Sequence, residues 1–300
     1  MGVSRISFQY YLLKKFLFRT LLLLGVVSTP SIFACEIHDG DKTLLPMPER
    51  ARRIVTLAPN LTEFVFAAGA GDRLVGVSSY SDFPHAATKL PVVADYHSVD
   101  LERMTALQPD LIIALKGASN AVQLRVFENK GVPVYWVDIR YLSDIPKTIS
   151  DLGCLAGTQA ESSRSVGEFK KQHLLLQQKY ASLKPVRVFF EMSEKPLLTV
   201  TDKTLIDDVI TLCGGRNIFA DANSIVPMVN VEEVLSRNPE AIVSASLSRD
   251  WKARWLKWPE IVATKQEAFI SLEPDWIERA GPRILKAADQ LCVELDYSRK

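Results

Sequence analysis

The side chains best suited to recognising a ligand follow the ends of short apolar segments, or lie in the loops between those segments and the helices. Six residues have this placement: Tyr80, Tyr96, Met192, Asp275, Trp276 and Arg279. In open α/β sheets ligands bind beyond the carboxyl ends of the strands, so these residues are expected to line one cleft. Apolar and aromatic walls with few polar groups are typical of a small-molecule site. Two alternatives stay open at this point: Trp276 as a core residue, and Asp275 with Arg279 as an exposed ion pair four residues apart.

Catalytic and metal-binding patterns are missing from the same sequence. It contains no HExxH or CxxC motif, no serine nucleophile elbow, no Cys/His pair and no evident carboxylate dyad. Of the four histidines, only His85 and His97 are placed to bind a metal, and two ligands are too few. The formal net charge is +1, which gives no basis for nucleic-acid binding. We therefore expect a binding protein rather than an enzyme, with no resident metal or cofactor.

Short runs rich in β-branched residues alternate with helical segments from Arg52 onward. RIVTLA, RLVGVSS, DLIIAL and VPVYWVD form the first series, and VRVFFEM, EAIVSAS and AFISLE form the second. This alternation predicts an α/β fold of two Rossmann-like lobes with mostly parallel sheets, over residues 50–150 and 185–300.

One long helix is predicted between the lobes, over residues 158–184. Its apolar stripe is spaced at three and four residues: Val166, Phe169, His173, Leu176, Tyr180 and Leu183. Thr158 and Glu161 match a capping box at its start. A helix of about 39 Å joins two lobes as a strut, whereas a Gly/Ser linker would let them swing.

A helix–turn–strand unit occurs twice. LERMTALQPDLIIA begins at Leu101, and the looser copy VEEVLSRNPEAIVSA begins at Val231, so that Glu232 lies 130 residues after Glu102. The repeat predicts that the two lobes share one plan and that each carries a Glu near the start of an equivalent helix.

The first 34 residues have the features of a secretory signal peptide. A basic stretch is followed by a short apolar run and by the small residue Ala34, directly before Cys35. A lipoprotein signal also ends before a Cys, so lipid attachment at Cys35 is the alternative. In an exported chain, Cys213 and Cys292 could form a bridge within one lobe. Cys154 is either a buried thiol or the partner of Cys35.

Several motifs resemble one family: the substrate-binding proteins of ABC importers for metal chelates, called class III periplasmic binding proteins. VSSYSDFP, DLERMTALQPDLIIA, SEKPLLTV, CGGRNIF and PDWIERAGPR are similar to its cobalamin-binding branch, over about residues 50–295. The resemblance implies a periplasmic, monomeric protein that captures cobalamin as a transported ligand between its lobes. It implies delivery to an inner-membrane ABC permease with its ATPase.

The resemblance also implies roles for individual residues. Tyr80 matches the family's tyrosine that faces the corrin ring, and Tyr96 stands where an aromatic residue is usual. The segment with Asp275, Trp276 and Arg279 matches the one that closes over the ligand. Cys213 and Cys292 match an intralobe disulfide. Glu102 and Glu232 match a pair that docks onto basic pockets of a two-fold permease.

The sequence departs from that pattern at several cleft positions. Leu115 and Val226 stand where other members have Trp, while Met192 and Leu198 stand where Phe is found. These changes predict a looser pocket or a differently decorated corrinoid. Haem carriers of this family place a tyrosine where this chain has Phe83, which disfavours haem. A ferric siderophore is the remaining alternative, because Arg279 could bind an anionic chelate.

Overall fold

A computed structural model describes the chain at residues 36–45, 47, 49–119, 121–248 and 250–299. The segment expected to be a signal peptide, residues 1–34, and Cys35 lie outside these described residues. Residues 36–45 pack against the N-terminal lobe, where Ile37 and Leu45 are buried in its core. The sequence did not predict this packing.

The N-terminal lobe is a parallel sheet with helices against it. Its described strands are β1 (Ile54–Thr56), β2 (Leu74–Ser78), β3 (Val92–Ala94), β4 (Leu111–Leu115) and β5 (Val134–Val137), in the order β3-β2-β1-β4-β5. Its described α-helices are α1 (Pro59–Ala67), α2 (Leu101–Ala106), α3 (Ala121–Glu128) and α4 (Asp144–Ala156). The apolar strands are almost wholly buried, as expected for a parallel sheet covered on both faces.

A single long helix, α5 (Gln159–Tyr180), follows the N-terminal lobe. It is shorter than the predicted 158–184, and Phe169, Leu176 and Tyr180 of the predicted stripe are buried. The expected capping box is wrong: the Thr158 hydroxyl donates 2.6 Å to the backbone oxygen of Ala68 in the N-terminal lobe and makes no cap hydrogen bond.

The C-terminal lobe repeats the plan. Its parallel sheet has the order β9-β6-β10-β11 among the described residues, with β6 (Val186–Glu191), β9 (Gly215–Asn217), β10 (Ala241–Ser244) and β11 (Phe269–Ser271). A small antiparallel pair is formed by β7 (Ser193–Glu194) and β8 (Leu197–Leu198). The described α-helices are α6 (Leu205–Leu212), α7 (Val231–Arg237), α8 (Val262–Lys265), α9 (Pro274–Ile277) and α10 (Ile284–Tyr297).

The predicted fold class, two α/β lobes with mostly parallel sheets, is confirmed. The N-terminal lobe differs by the additional outer strand β3. One apolar core continues from the N-terminal lobe through α5 into the C-terminal lobe. Helix α5 packs against α4 on one side and α10 on the other. Helix α5 therefore joins the two lobes through a continuous packed core.

The C-terminal lobe contains the disulfide expected between Cys213, just after α6, and Cys292 in α10. Cys154 is not a free thiol either. Among the described helices, none combines the length and the apolar character needed to cross a membrane.

Candidate functional site

A cavity of about 790 Å³ opens at the carboxyl edge of the N-terminal sheet. Its lining residues stand at or just after the ends of four neighbouring strands: 57–59 after β1, 78–80 at β2, 95–97 after β3 and 115–119 at β4. Tyr80 and Tyr96 are both among them. Leu115 lines the same cavity, and it stands at the position where the family resemblance implies Trp in other members. The volume lies within the usual range for small-molecule pockets.

Tyr80 is held at the cavity by a constrained turn. Its backbone is in the left-handed region, with φ 62°, and its side chain is 81% exposed. The next residue, Ser81, is buried and lies within hydrogen-bond distance of Ser78 (3.2 Å) and Thr62 (3.0 Å). A bulky residue in this conformation costs about 1 kcal/mol or more and is found mostly at functional sites. The turn therefore presents an exposed aromatic ring at a cost in backbone strain.

Tyr96 contributes a second exposed ring, with 83% of its surface accessible. The His97 ring meets it edge-on at 5.1 Å, and His97 also lines the cavity. The loop is fixed by Asp95, whose carboxylate accepts the backbone N–H groups of His97 and Ser98 at 2.8 and 2.7 Å. These hydrogen bonds lower the pKa of Asp95.

Five charged residues join the lobes, and we call them the interlobe cluster: Glu63, Asp82, Asp275, Arg279 and Arg283. Arg283 donates to both carboxylate oxygens of Glu63, at 2.8 and 2.6 Å. Arg279 donates to Asp82 at 2.7 Å. It also lies 3.0 Å from Asp275 and 3.8 Å from Glu63. Asp275 and Arg279 are thus not a simple surface pair, because Arg279 reaches across to the N-terminal lobe.

The cluster brings the carboxyl edges of the two sheets together. Asp82 lies in the loop after β2, and Arg279 lies in the segment after β11. Other hydrogen bonds support this approach: the Asn60 side chain donates 2.9 Å to the Ala280 carbonyl. Elsewhere the backbone N–H of Leu142 donates 2.8 Å to Asp208.

Burial and hydrogen bonding act in opposite directions on the two N-terminal carboxylates. Glu63 is only 3% exposed, and its desolvation raises its pKa although the hydrogen bonds from Arg283 oppose the rise. Asp82 is 53% exposed, and the hydrogen bond from Arg279 lowers its pKa. Burial thus dominates the pKa of Glu63, whereas the arginine partner dominates the pKa of Asp82.

Phe83 and Trp276 pack beside the cluster. The Arg283 guanidinium lies 4.3 Å from the centre of the Phe83 ring. The Lys286 ammonium lies 5.9 Å from Phe83 and 5.6 Å from Trp276. Trp276 is partly buried against the main core. Both rings thus have cationic neighbours at the interlobe contact, and neither is among the residues that line the cavity.

The C-terminal lobe presents aliphatic and thioether groups at its carboxyl edge. Met192, directly after β6, is 38% exposed. Met228, which bridges to Leu198, is 70% exposed, and Leu247, after β10, is 87% exposed. Sequence reasoning missed Met228 and Leu247. The position of Leu247 beyond a parallel strand was the signal that could have identified it.

Sequence reasoning also assigned no role to Glu63 or Lys116. Glu63 lies in the apolar helix α1, where one charged residue among aromatic neighbours was the available signal. Lys116 lines the cavity and pairs with Asp41 at 3.0 Å and with Asp138 at 3.9 Å. Across the described residues, no group of three or more His, Cys, Asp or Glu side chains could hold a metal ion.

Glu102 and Glu232 occupy equivalent positions in the two lobes. Each is exposed in the first turn of its helix, α2 or α7, two residues after the N-cap. Asp100 caps α2, and Asn230 caps α7 within a capping box. Neither Glu lines the described cavities.

Two α/β lobes joined by one long helix, with a cavity at the carboxyl edge of a parallel sheet, define a class of ligand receptors. The chain matches the family of periplasmic binding proteins over residues 54–285, and it belongs to that family. The resemblance inferred from its motifs is confirmed.

Within this family, the chain is similar to vitamin B12-binding proteins. It is 36% identical over 253 residues to that of Vibrio parahaemolyticus, covering 84% of this chain and 92% of the other. The crystal structure of the periplasmic vitamin B12-binding protein BtuF of Vibrio cholerae matches with 34% identity and a TM-score of 0.76. That match covers 83% of this chain and 98% of the other.

The fold alone is shared more widely. A periplasmic haem-binding protein, HutB of Vibrio cholerae, has 20% identity and a TM-score of 0.72, over 81% of this chain and 98% of the other.

Proposed function

We propose that this protein captures cobalamin in the cleft between its lobes and delivers it to an inner-membrane ABC permease with its ATPase. The observation that carries the proposal is the similarity to vitamin B12-binding proteins, which extends over 92% of the relative from Vibrio parahaemolyticus. The chain acts as a receptor, so binding involves no covalent step and no resident cofactor.

The chemistry of the cleft suits a corrinoid. Tyr80 and Tyr96 offer exposed rings to a flat, largely apolar macrocycle, and Met192 offers a thioether from the opposite lobe. Cobalamin carries carboxamide groups around its rim. Asp275 and Arg279 supply an acceptor and donors for such groups, and Trp276 fixes the segment that carries them by packing against the core.

Calorimetric titration of the mature protein tests this proposal. Cyanocobalamin is expected to bind with one-to-one stoichiometry and a dissociation constant below about 1 µM, or roughly −8 kcal/mol. Ferric protoporphyrin and a ferric hydroxamate siderophore serve as parallel titrants. Tight binding of either one without a cyanocobalamin signal would reject cobalamin as the ligand and identify the alternative chelate.

Docking is the second part of the proposal. Glu102 and Glu232 are exposed, equivalent by the internal repeat, and placed on lobes that share one continuous core through α5. Two carboxylates at a fixed separation fit a two-fold permease with a basic pocket in each half. A monomer of this receptor would then span both halves of the permease.

Delivery requires export. We infer that residues 1–34 are removed as a signal peptide and that the mature chain acts in the periplasm, with Cys35 as its first residue. Mass spectrometry of the protein isolated from cells would identify the mature N-terminus and would show whether Cys35 carries a lipid. An intact Met1 in the mature protein would contradict the export step.

A further inference from the structure

The interlobe cluster is unusual in its charge balance, since three carboxylates face two guanidinium groups. Arg283 is occupied by Glu63 through two hydrogen bonds. Arg279 is the arginine that pairs with the other two carboxylates, Asp82 at 2.7 Å and Asp275 at 3.0 Å. Its side chain is 19% exposed, so a ligand can reach it but finds it already neutralised.

The cation within the N-terminal cavity is neutralised in the same way. Lys116 lies 3.0 Å from Asp41 and 3.9 Å from Asp138. The cavity also holds Asp95, whose carboxylate accepts the backbone N–H groups of His97 and Ser98 and the Ser98 hydroxyl. Both cations that a ligand could reach, Arg279 and Lys116, are thus already paired with carboxylates.

We propose that Asp82 is a specificity-determining residue: by occupying Arg279 it makes the cleft reject anionic metal chelates and accept a neutral, amide-bearing ligand. This inference rests on the proposed function and adds the ligand property for which the cleft selects.

The physical argument is a competition for Arg279. A ligand carboxylate could pair with Arg279 only by displacing Asp82 or by sharing the guanidinium with Asp82 and Asp275, and either arrangement brings like charges together. A ligand carboxamide meets no such conflict. Its oxygen can accept from Arg279 while its N–H groups donate to Asp82 or Asp275, so every polar group in the contact is paired.

The test compares ligands that differ only in charge. One pair is cyanocobalamin and the monocarboxylic acids made by hydrolysing single propionamides on its rim. A second pair is ferric protoporphyrin and its dimethyl ester, which lacks the propionate charges. Each is titrated into the full mature chain, its Asp82→Asn variant and a control variant, Asp221→Asn. Asp221 also pairs with an arginine, Arg237 at 2.8 Å, but it does not line the cavity and does not belong to the interlobe cluster.

The wild type is expected to prefer cyanocobalamin to its acids, and Asp82→Asn should reduce this preference by up to about fivefold for the acid nearest Arg279. Ferric protoporphyrin should gain affinity from the same substitution, whereas its ester and the Asp221→Asn control should not. If Asp82→Asn changes the affinity equally for the charged and the uncharged member of both pairs, or changes neither, Asp82 does not select against anionic ligands. If the wild type binds no corrinoid, the proposed function fails, and the protoporphyrin pair alone tests the role of Asp82.

Discussion

Replacing Arg283 with Met would leave the Glu63 carboxylate buried without its main partner. The Glu63 side chain is 3% exposed and that of Arg283 is 11% exposed, so water replaces little of what is lost. The substitution removes two hydrogen bonds, at 2.8 and 2.6 Å, and the guanidinium over the Phe83 ring at 4.3 Å. Met retains much of the aliphatic volume.

The magnitude follows from these contacts. Breaking a buried ion pair by removing one partner costs about 3–5 kcal/mol. Arg279, 3.8 Å from Glu63, compensates part of the charge, so we expect a loss near the lower end, about 3 kcal/mol at pH 7. Removing both charges in the double variant Glu63→Leu/Arg283→Met should restore most of the loss, because no uncompensated charge remains.

The loss should also depend on pH. Burial already raises the pKa of Glu63 in the folded wild type, and without Arg283 the pKa rises further. A carboxyl with a raised pKa favours the folded state when protonated, so the penalty of its charge is largest above that raised pKa. As the pH falls through the raised pKa of the variant, Glu63 becomes neutral and the difference between variant and wild type shrinks.

Urea titrations at pH 7 and pH 4, followed by circular dichroism, measure these free energies of unfolding. Lys147→Met is the matched control: Lys147 is 60% exposed, and its partner Asp151 keeps the hydrogen bond from Tyr135, so the substitution should cost only a few tenths of a kcal/mol. A loss below about 1 kcal/mol for Arg283→Met, or a double variant no more stable than the single one, would refute the reasoning.

Three other outcomes are expected. Tyr80→Gly relieves the left-handed backbone but removes the ring, so the free energy of unfolding should stay within about 1 kcal/mol while cyanocobalamin affinity falls roughly tenfold or more. Urea titration measures the first and calorimetry the second, and an unchanged affinity would contradict the role of the ring. Replacing Cys213 and Cys292 with Ser opens a loop of 79 residues and should lower the free energy of unfolding by about 2–5 kcal/mol, and an unchanged melting temperature would contradict this. Glu102→Arg and Glu232→Arg should leave cyanocobalamin affinity within about twofold but weaken the permease complex and uptake, with the double variant worse than either single one; normal uptake by both single variants would remove the docking role.

The repeated features of this chain were readable from its sequence. Glu102 and Glu232 occupy equivalent positions because each lobe has a helix before its next strand. Two residues later, Met104 and Val234 are both buried, so the two helices turn the same face toward the core. Periodic apolar residues report such local packing directly. Tyr80 and Tyr96 were also accessible, because strand ends can be counted along the chain.

Contacts between distant segments were not readable in this way. Arg279 and Asp82 are 197 residues apart, so the four-residue spacing to Asp275 was the only partner the sequence could indicate. Thr158 fits a capping box in pattern, yet a carbonyl from the neighbouring α1 region, Ala68, competes for its hydroxyl. Tertiary partners of this kind override local signals, and they determine how the interlobe cluster forms.

The central claim is that cobalamin lies between the lobes, against Tyr80 and within reach of Arg279. A crystal structure of the complex with cyanocobalamin, with anomalous data collected at the cobalt absorption edge, tests it most directly. A single strong cobalt peak in the cleft, with the corrin ring against Tyr80 and rim carboxamides on Arg279, is the expected result. A cobalt site outside the cleft, or an empty cleft at saturating ligand, would contradict the account.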